Sequence, residues 1–198
     1  MNYDFDVFVI GAGSGGVRTA RMAAAAGAKV AVADDRALGG TCVNVGCVPK
    51  KLYTYASHFS HDVANAAGFG WQVPAVKFDW PTLVANKKHE ISRLNTIYGN
   101  LLNSSGAHVI AGYAQLKDAH TVTVSNQDYT AERIVIATGG TPNIPPVGYA
   151  DLLISSDQIF DLPEFPKRLL VVGAGYIALE FACIFQGLGS QVEVSYRG

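Results

Sequence analysis

The sequence predicts an α/β protein in which a strand, a glycine-rich turn, a helix and a second strand occur in that order twice. An apolar run at residues 5–10 leads into residues 11–16, of which four are glycine. The same order recurs over residues 169–196. Three further apolar runs with short polar spacers lie between the two repeats. Strands that alternate with helices are typical of parallel sheets, and short spacers are typical of antiparallel strands.

Length and composition restrict the class of protein. The 198 residues are enough for one complete domain and part of another, and 49% of them are hydrophobic. The net charge of -1 gives no electrostatic reason to expect nucleic acid or membrane partners. No apolar run approaches the roughly 20 residues that span a bilayer. The N-terminus has no basic leader and no small-residue cleavage site, which predicts a cytoplasmic protein.

The first repeat has the spacing of a dinucleotide-binding unit. Gly11, Gly13 and Gly16 have the G-x-G-x-x-G pattern, an Ala-rich helix follows, and a second apolar run ends at Asp34. The glycines permit a tight turn and let the backbone approach a pyrophosphate at the helix N-terminus. A carboxylate about 20 residues further on is suited to ribose hydroxyls. A purely structural glycine turn is the less favoured alternative.

The middle of the chain predicts helices and then strands. Residues 48–66 have a helical pattern, residues 68–81 a loop and residues 82–103 a second helix. The three apolar runs predict an antiparallel meander packed on the first repeat, with strands at residues 109–116, 121–124 and 134–138. Residues 155–168 contain two prolines and predict a linker.

The second repeat predicts another dinucleotide site. Gly173, Gly175 and Ala178 have the G-x-G-x-x-A form between a strand and a helix. No carboxylate stands where a ribose hydroxyl would need one, and Arg197 at the end of the second strand could pair with a 2′-phosphate instead. The alternative that Arg197 is an ordinary surface arginine stays open. This pattern favours NADPH over NADH. The repeat stops at Gly198 with too little structure to cover both faces of its sheet, so we expect the chain to be truncated or completed by something else.

Cys42 and Cys47 form the strongest candidate redox centre. In an ideal helix their Cα atoms would be more than about 8 Å apart, whereas a disulfide needs less than about 7 Å. The segment must therefore be distorted if the pair is to close, and Gly46 and Pro49 both make distortion easy. No second ligand pair supports a zinc site. Two independent buried cysteines remain an alternative to a redox dithiol.

Residues 39–51, GGTCVNVGCVPKK, resemble the active-site segment of the glutathione reductase group of flavoprotein disulfide reductases. The resemblance covers essentially the whole chain, including ATGG at 137–140 and GAGYIALE at 173–180. Dihydrolipoyl and mercuric reductases usually carry Ser before the Lys of this segment. Lys50 and Lys51 are therefore more similar to the glutathione and trypanothione reductases.

The resemblance implies specific catalytic roles. Cys42 would be the interchange thiol that attacks a disulfide substrate, and Cys47 would lie against the flavin as a charge-transfer thiolate. Lys50 would approach the flavin N5 edge and pair with Glu180. Tyr176 would cover the nicotinamide pocket until NADPH enters.

The resemblance also implies two cofactors, FAD and NADPH, in two Rossmann-like domains. We expect an FAD-binding domain with the meander at residues 1–158 and the incomplete beginning of an NADPH-binding domain at residues 159–198. The expected FAD contacts are Gly11, Gly13, Ser14, Gly15, Gly16, Asp34, Thr41, Ala114, Thr138 and Gly139. The expected NADPH contacts are Gly173, Ala174, Gly175, Ile177 and Arg197.

Substrate prediction depends on fewer residues. Arg21, with Arg18 one turn earlier, matches an arginine that binds a glutathione carboxylate in the family, and Ser14 and Tyr98 match positions near glutathione. A solvated basic helix face is the alternative. The resemblance implies NADPH-dependent reduction of glutathione disulfide by a full-length homodimer. Two alternatives stay open: a reductase for another disulfide, trypanothione-like or dihydrolipoyl-like, and a non-catalytic FAD-binding fragment. We expect this chain alone to be inactive.

Other reactive side chains are predicted to have ordinary roles. Cys183 lies in an apolar helix segment and is expected to be a core thiol. The five histidines show no ligand spacing, and His58 and His61 fit a solvated helix face. No metal is expected.

Overall fold

The computed structural model describes residues 2–144 and 146–197. Its strands are β1 Phe5–Ile10, β2 Val30–Asp34, β3 His108–Ala111, β4 Ala114–Leu116, β5 Thr121–Val124, β6 Gln127–Ile136, β7 Arg168–Val172 and β8 Gln191–Ser195. Its helices are α1 Ser14–Ala25, α2 Gly40–Val45, α3 Cys47–Ala66, α4 Trp80–Ser104 and α5 Tyr176–Leu188. The predicted helices at 48–66 and 82–103 are confirmed to within two residues as α3 and α4.

The chain forms two compact units. Unit 1 contains the residues up to 46 together with 90–143, and unit 2 contains residues 47–89 together with those from 144 onwards. Helix α4 contributes its first half to unit 2 and its second half to unit 1. The division into domains at residues 1–158 and 159–198 stays a prediction.

Unit 1 is built on one six-stranded sheet with the order β3-β2-β1-β6-β5-β4. The strands β3, β2, β1 and β6 are parallel, and Val7 of β1 pairs with Val30 of β2 and with Arg133 of β6. The strands β4, β5 and β6 are antiparallel. The predicted meander is therefore present, but it continues the parallel sheet through β6.

Two boundaries of the predicted meander were wrong. The run at 109–116 is not one strand: it breaks at Gly112, whose N–H donates to the Asp34 carbonyl. Its first half pairs with β2 at one edge of the sheet and its second half with β5 at the other edge, so the two halves cannot form one continuous strand. Strand β6 begins at Gln127 because Ser125 and Asn126 both have positive φ and form a two-residue hairpin turn.

Both faces of the unit 1 sheet are buried. Phe8 and Ile10 of β1 belong to one hydrophobic cluster, whereas Val9 belongs to another that includes Val17 of α1 and Leu102 of α4. Alternate side chains of a strand point to opposite faces, which explains why residues 7–10 of β1 and 30–33 of β2 are continuously apolar in sequence.

Unit 2 contains the parallel pair β7 and β8, with α5 between them in the chain. Its helices α3 and α5 and the beginning of α4 share an aromatic cluster. The cluster residues are Tyr53, Trp80, Phe160, Phe165, Phe181 and Phe185. Short 3-10 turns occur at 67–69, 150–152 and 159–161.

No helix within the described residues is both long and apolar enough to cross a membrane.

Candidate functional site

The glycine turn of unit 1 joins the end of β1 to the N-terminus of α1. Gly16 approaches Gly11 so closely that a Cβ on Gly16 would lie 1.7 Å from the Gly11 carbonyl oxygen. No side chain of the described residues caps α1 at Gly13. The first amide groups of a helix have no helical acceptors and bear a partial positive charge, so this end of α1 is suited to phosphate oxygens.

Asp34 is held beside this turn by two backbone donors. Its Oδ2 accepts a hydrogen bond from the Ala12 N–H at 2.5 Å, and its Oδ1 accepts one from the Arg36 N–H at 2.9 Å. Each carboxylate oxygen keeps a further lone pair. The carboxylate is therefore oriented and can still accept hydrogen bonds from ribose hydroxyls. The turn and Asp34 together fit the adenosine diphosphate part of a dinucleotide.

The carboxyl ends of three parallel strands meet at this edge of the sheet. Asp34 ends β2, Gly11 follows β1, and Thr138 and Gly139 follow β6. The Ala137 N–H donates to the Ile10 carbonyl at 2.8 Å, which keeps the last two strands together beyond their ends. Nucleotides bind at this edge in open α/β sheets. Ala114, at the start of β4, packs against the core cluster that contains Phe8.

The first cysteine lies on a short helix that hydrogen bonds of asparagine side chains stabilise. Helix α2 carries Thr41 and the half-buried Cys42. Asn44 Nδ2 donates to the Gly40 carbonyl at 2.9 Å, and Asn44 Oδ1 accepts a hydrogen bond from Asn95 Nδ2 at 2.9 Å. Sequence reasoning missed this asparagine pair. A polar amide inside the cysteine segment was the only available signal, because Asn95 is distant in sequence.

The predicted distortion between the cysteines is confirmed in the backbone. Helix α2 ends at Val45, Gly46 has φ -144° and ψ -118°, and α3 begins at Cys47. A Cβ on Gly46 would lie 2.8 Å from the Thr41 carbonyl oxygen and 3.2 Å from the Cys42 Cα. The chain therefore folds back over the start of the cysteine segment, and the break requires glycine.

Unit 2 brings together the second group of predicted residues. Cys47 is exposed at the start of α3, and Lys50 lies one turn later. Lys50 Nζ donates to Glu180 Oε1 of α5 at 2.5 Å. The predicted pairing of Lys50 with Glu180 is thus present. Helices α3 and α5 approach closely at Gly187, where a Cβ would lie 2.9 Å from the Ser57 Cβ.

The second glycine turn has the expected position between β7 and α5. The Gly173 N–H donates to the Ser195 carbonyl at 2.8 Å, and Gly175 immediately precedes α5. Tyr176 is the first residue of α5 and is largely exposed. Arg197 is exposed just beyond β8. Ala174 and Ile177 lie in and just after the turn.

A cavity of about 510 Å³ lies between α3 and α5 in unit 2. Lys50, Glu180, His58, His61 and Cys183 are among the residues that line it. The expectation that Cys183 is a core thiol was wrong, because the buried face of α5 carries its aromatic and branched side chains and position 183 lies off that face. Both histidines are exposed, as expected. No group of metal-ligating side chains occurs among the described residues.

The predicted substrate residues lie on unit 1. Ser14 begins α1, and Ser14, Arg18 and Arg21 are exposed. Tyr98 is half-buried and packs against the cluster that contains Val9. The exposed residues are accessible to an anionic ligand, whereas Tyr98 is partly engaged in packing.

Comparison with known proteins adds independent findings. The family model described as pyridine nucleotide-disulphide oxidoreductase matches residues 5–198. The chain is 51% identical to a glutathione reductase of Burkholderia cepacia over its whole length, which covers 44% of that relative. It is 48% identical over 98% of its length to a chloroplastic/mitochondrial glutathione reductase of Pisum sativum, of which it covers 37%. It is 46% identical over its whole length to a glutathione reductase of a Nostoc strain, of which it covers 43%. The chain thus spans less than half the length of these relatives.

Proposed function

The chain belongs to the pyridine nucleotide-disulphide oxidoreductase family, and on that premise we propose that it is part of an enzyme that reduces glutathione disulfide with NADPH and FAD. The observation that carries this proposal is the ion pair of Lys50 and Glu180, which holds a cation one helical turn beyond Cys47. The pair joins α3, which begins with Cys47, to α5, which follows the second glycine turn. The substrate follows from the names of the relatives, each at least 46% identical to this chain.

The FAD site is proposed on unit 1. Gly11 and Gly13 with the N-terminus of α1 would hold the pyrophosphate, and Asp34 would accept hydrogen bonds from ribose hydroxyls. Thr41 and Thr138 would complete the contacts. When bound, FAD supplies the means to accept a hydride from NADPH and to deliver two electrons to a disulfide. Gly173, Gly175 and Tyr176 with Arg197 would bind NADPH on unit 2.

The reaction of the two thiols follows ordinary disulfide exchange. The Cys42 thiolate attacks one sulfur of glutathione disulfide, whose S–S bond breaks, and one glutathione leaves as a thiolate. The Cys47 thiolate then attacks the Cys42 sulfur, releases the second glutathione and forms the Cys42–Cys47 disulfide. Two electrons have passed from the dithiol to the substrate, and two protons complete the released thiols.

Substrate recognition is proposed to depend on Arg21. Its exposed guanidinium, with that of Arg18 one turn earlier, can attract the carboxylates of glutathione. Ser14 and Tyr98 would contribute polar contacts. A substrate with fewer carboxylates would gain less from this face, which favours glutathione disulfide over a dihydrolipoyl-like substrate.

The complete protein is proposed to be a cytoplasmic homodimer. Large apolar side chains are exposed along α3 and the turn that follows it, including Tyr55, Phe59, Phe69 and Trp71. An exposed apolar surface of this kind favours burial against a protein partner. The content of three cysteines suits a reducing compartment. Light scattering of the complete protein at several concentrations tests the dimer.

The proposed function is tested by turnover of the complete protein with NADPH and each of glutathione disulfide, trypanothione disulfide and lipoamide. We expect turnover with glutathione disulfide, and Cys42→Ser or Cys47→Ser to reduce it by a factor of about 10³ or more. Cys183→Ser is the matched control and should retain wild-type turnover. Absence of glutathione turnover in the wild-type protein would refute the proposed substrate.

A further inference from the structure

Unit 2 contains a buried cation that the proposed function does not use. Lys87 lies on α4 with 3% of its side chain exposed, and its Nζ donates to Asp161 Oδ1 at 2.8 Å. Lys88 reaches the same oxygen at 3.1 Å but is 62% exposed. Burying an ammonium group is unfavourable unless a carboxylate compensates it, so the buried Lys87 depends on Asp161 for its counter-charge.

The charge of Asp161 is maintained by these lysines. Partial burial raises its pKa, but the hydrogen bonds from Lys87 and Lys88 outweigh that effect and leave the pKa below its ordinary value. Asp161 is therefore ionised near neutral pH. Burial raises the pKa of the neighbouring Tyr53, and the negative charge of Asp161 adds to that shift. The Tyr53 hydroxyl thus stays protonated and can donate a hydrogen bond.

Each of the three consecutive residues 160–162 accepts a hydrogen bond from a side chain of α3 or α4. The Tyr53 hydroxyl of α3 donates to the Phe160 carbonyl at 2.7 Å. The Trp80 Nε1 of α4 donates to the Leu162 carbonyl at 2.8 Å. With the bond from Lys87 to Asp161 between them, residues 160–162 are held by three side chains from α3 and α4.

The ring of Phe160 contacts aromatic side chains of both α3 and α5. Its centroid lies 5.5 Å from that of Tyr53 and 5.1 Å from that of Phe181. Tyr53 lies one turn after Lys50, and Phe181 directly follows Glu180. Phe160 therefore packs against one residue of α3 and one residue of α5 that are near Lys50 and Glu180 in sequence.

We propose that Lys87 is a positioning residue for the Lys50–Glu180 pair, since by holding Asp161 it seats Phe160 between α3 and α5. The proposed effect of Lys87 on the position of Phe160 and on the ion pair concerns unit 2 alone. Its catalytic consequence rests on the proposed function, because only there does the Lys50 cation act on a redox centre.

The test measures the chemical reactivity of the Lys50 amine in the complete protein. Trace acetylation with acetic anhydride, followed by mass spectrometry, gives the reactivity of each lysine relative to exposed Lys117. We expect Lys87→Met to raise the labelling rate of Lys50 about fivefold, because a looser pair exposes the amine. Lys88→Met removes the other lysine bonded to Asp161 and should change the rate less than about twofold.

A second readout separates positioning from simple loss of stability. In a Glu180→Gln background the pair is already broken, so adding Lys87→Met should leave the labelling rate of Lys50 unchanged. A further rise there would overturn the inference. With Glu180 intact, we expect Lys87→Met to lower kcat about fivefold with the KM for glutathione disulfide within about twofold.

Two further results would count against a positioning role of Lys87. Wild-type labelling of Lys50 in the Lys87→Met protein overturns the inference. If that variant does not fold, Asp161→Asn keeps the side-chain shape and should give the same rise in Lys50 labelling, and an unchanged rate overturns the inference again. A wild-type protein without NADPH-dependent glutathione turnover would refute the proposed function, whereas the labelling comparison would still decide whether Lys87 positions the pair.

Discussion

Lys50 and Glu180 are 130 positions apart in sequence, yet Nζ of one lies 2.5 Å from Oε1 of the other. About a quarter of the lysine side chain and two fifths of the glutamate side chain remain exposed. Partial burial makes such a pair stronger than a surface salt bridge while leaving it accessible to a ligand. The pair joins the helix that begins with Cys47 to the helix that follows the second glycine turn.

Glu180→Gln should therefore impair the proposed enzyme without unfolding it. Glutamine keeps the shape of the side chain but removes the charge that holds Lys50. We expect kcat/KM for NADPH to fall by about tenfold or more, measured by stopped-flow flavin reduction. Glu164→Gln, which alters an exposed glutamate, is the control. Wild-type flavin reduction in Glu180→Gln would show that the pair has no role in the reaction.

Asp34→Asn should weaken FAD binding. The substituted amide can still accept one hydrogen bond from the Ala12 N–H or the Arg36 N–H, but it has no negative charge and its nitrogen cannot act as an acceptor. We expect the FAD dissociation constant to rise about tenfold to a hundredfold, measured by flavin fluorescence. Asp35→Asn changes the neighbouring exposed carboxylate and should bind FAD normally. Equal affinities in the two variants would contradict the role proposed for Asp34.

Gly46→Ala should disturb the break between α2 and α3. The added methyl would lie 2.8 Å from the Thr41 carbonyl oxygen, so the cysteine segment must shift. We expect the rate of Cys42–Cys47 disulfide formation to fall about tenfold or more, measured by thiol titration after oxidation. Gly68→Ala is a matched control because a Cβ there meets nothing within 4 Å. The proposal for Gly46 fails if both alanine variants oxidise at the wild-type rate.

Arg197→Ala should reduce the preference for NADPH. Its exposed guanidinium is proposed to pair with the 2′-phosphate, a group that NADH lacks. We expect kcat/KM for NADPH to fall about tenfold while the value for NADH changes less than about twofold. Arg168→Ala removes another exposed arginine of the same strand pair and serves as the control. A parallel loss with both cofactors would indicate a structural role instead.

Local sequence patterns predicted the features that depend on neighbouring residues. The glycine turns, the helices α3 and α4 and the need for a break near Gly46 all follow from periodicity and backbone preference within a few residues. The pairing of Lys50 with Glu180 came from the family resemblance, because charge alone cannot select a partner across 130 positions.

Tertiary structure decided the features in which distant segments compete for contacts. The run at 109–116 has the pattern of one strand, but its halves pair with β2 and β5, so only the assembled sheet sets the break at Gly112. The packing of α5 selects which apolar positions are buried and leaves Cys183 exposed. The hydrogen bond from Asn95 to Asn44 and the contact of Lys87 with Asp161 likewise form only after folding. Sequence thus determined the break in the cysteine segment and the two glycine turns, whereas the fold decided which side chains support them, since burial and long-range hydrogen bonds have no local signal.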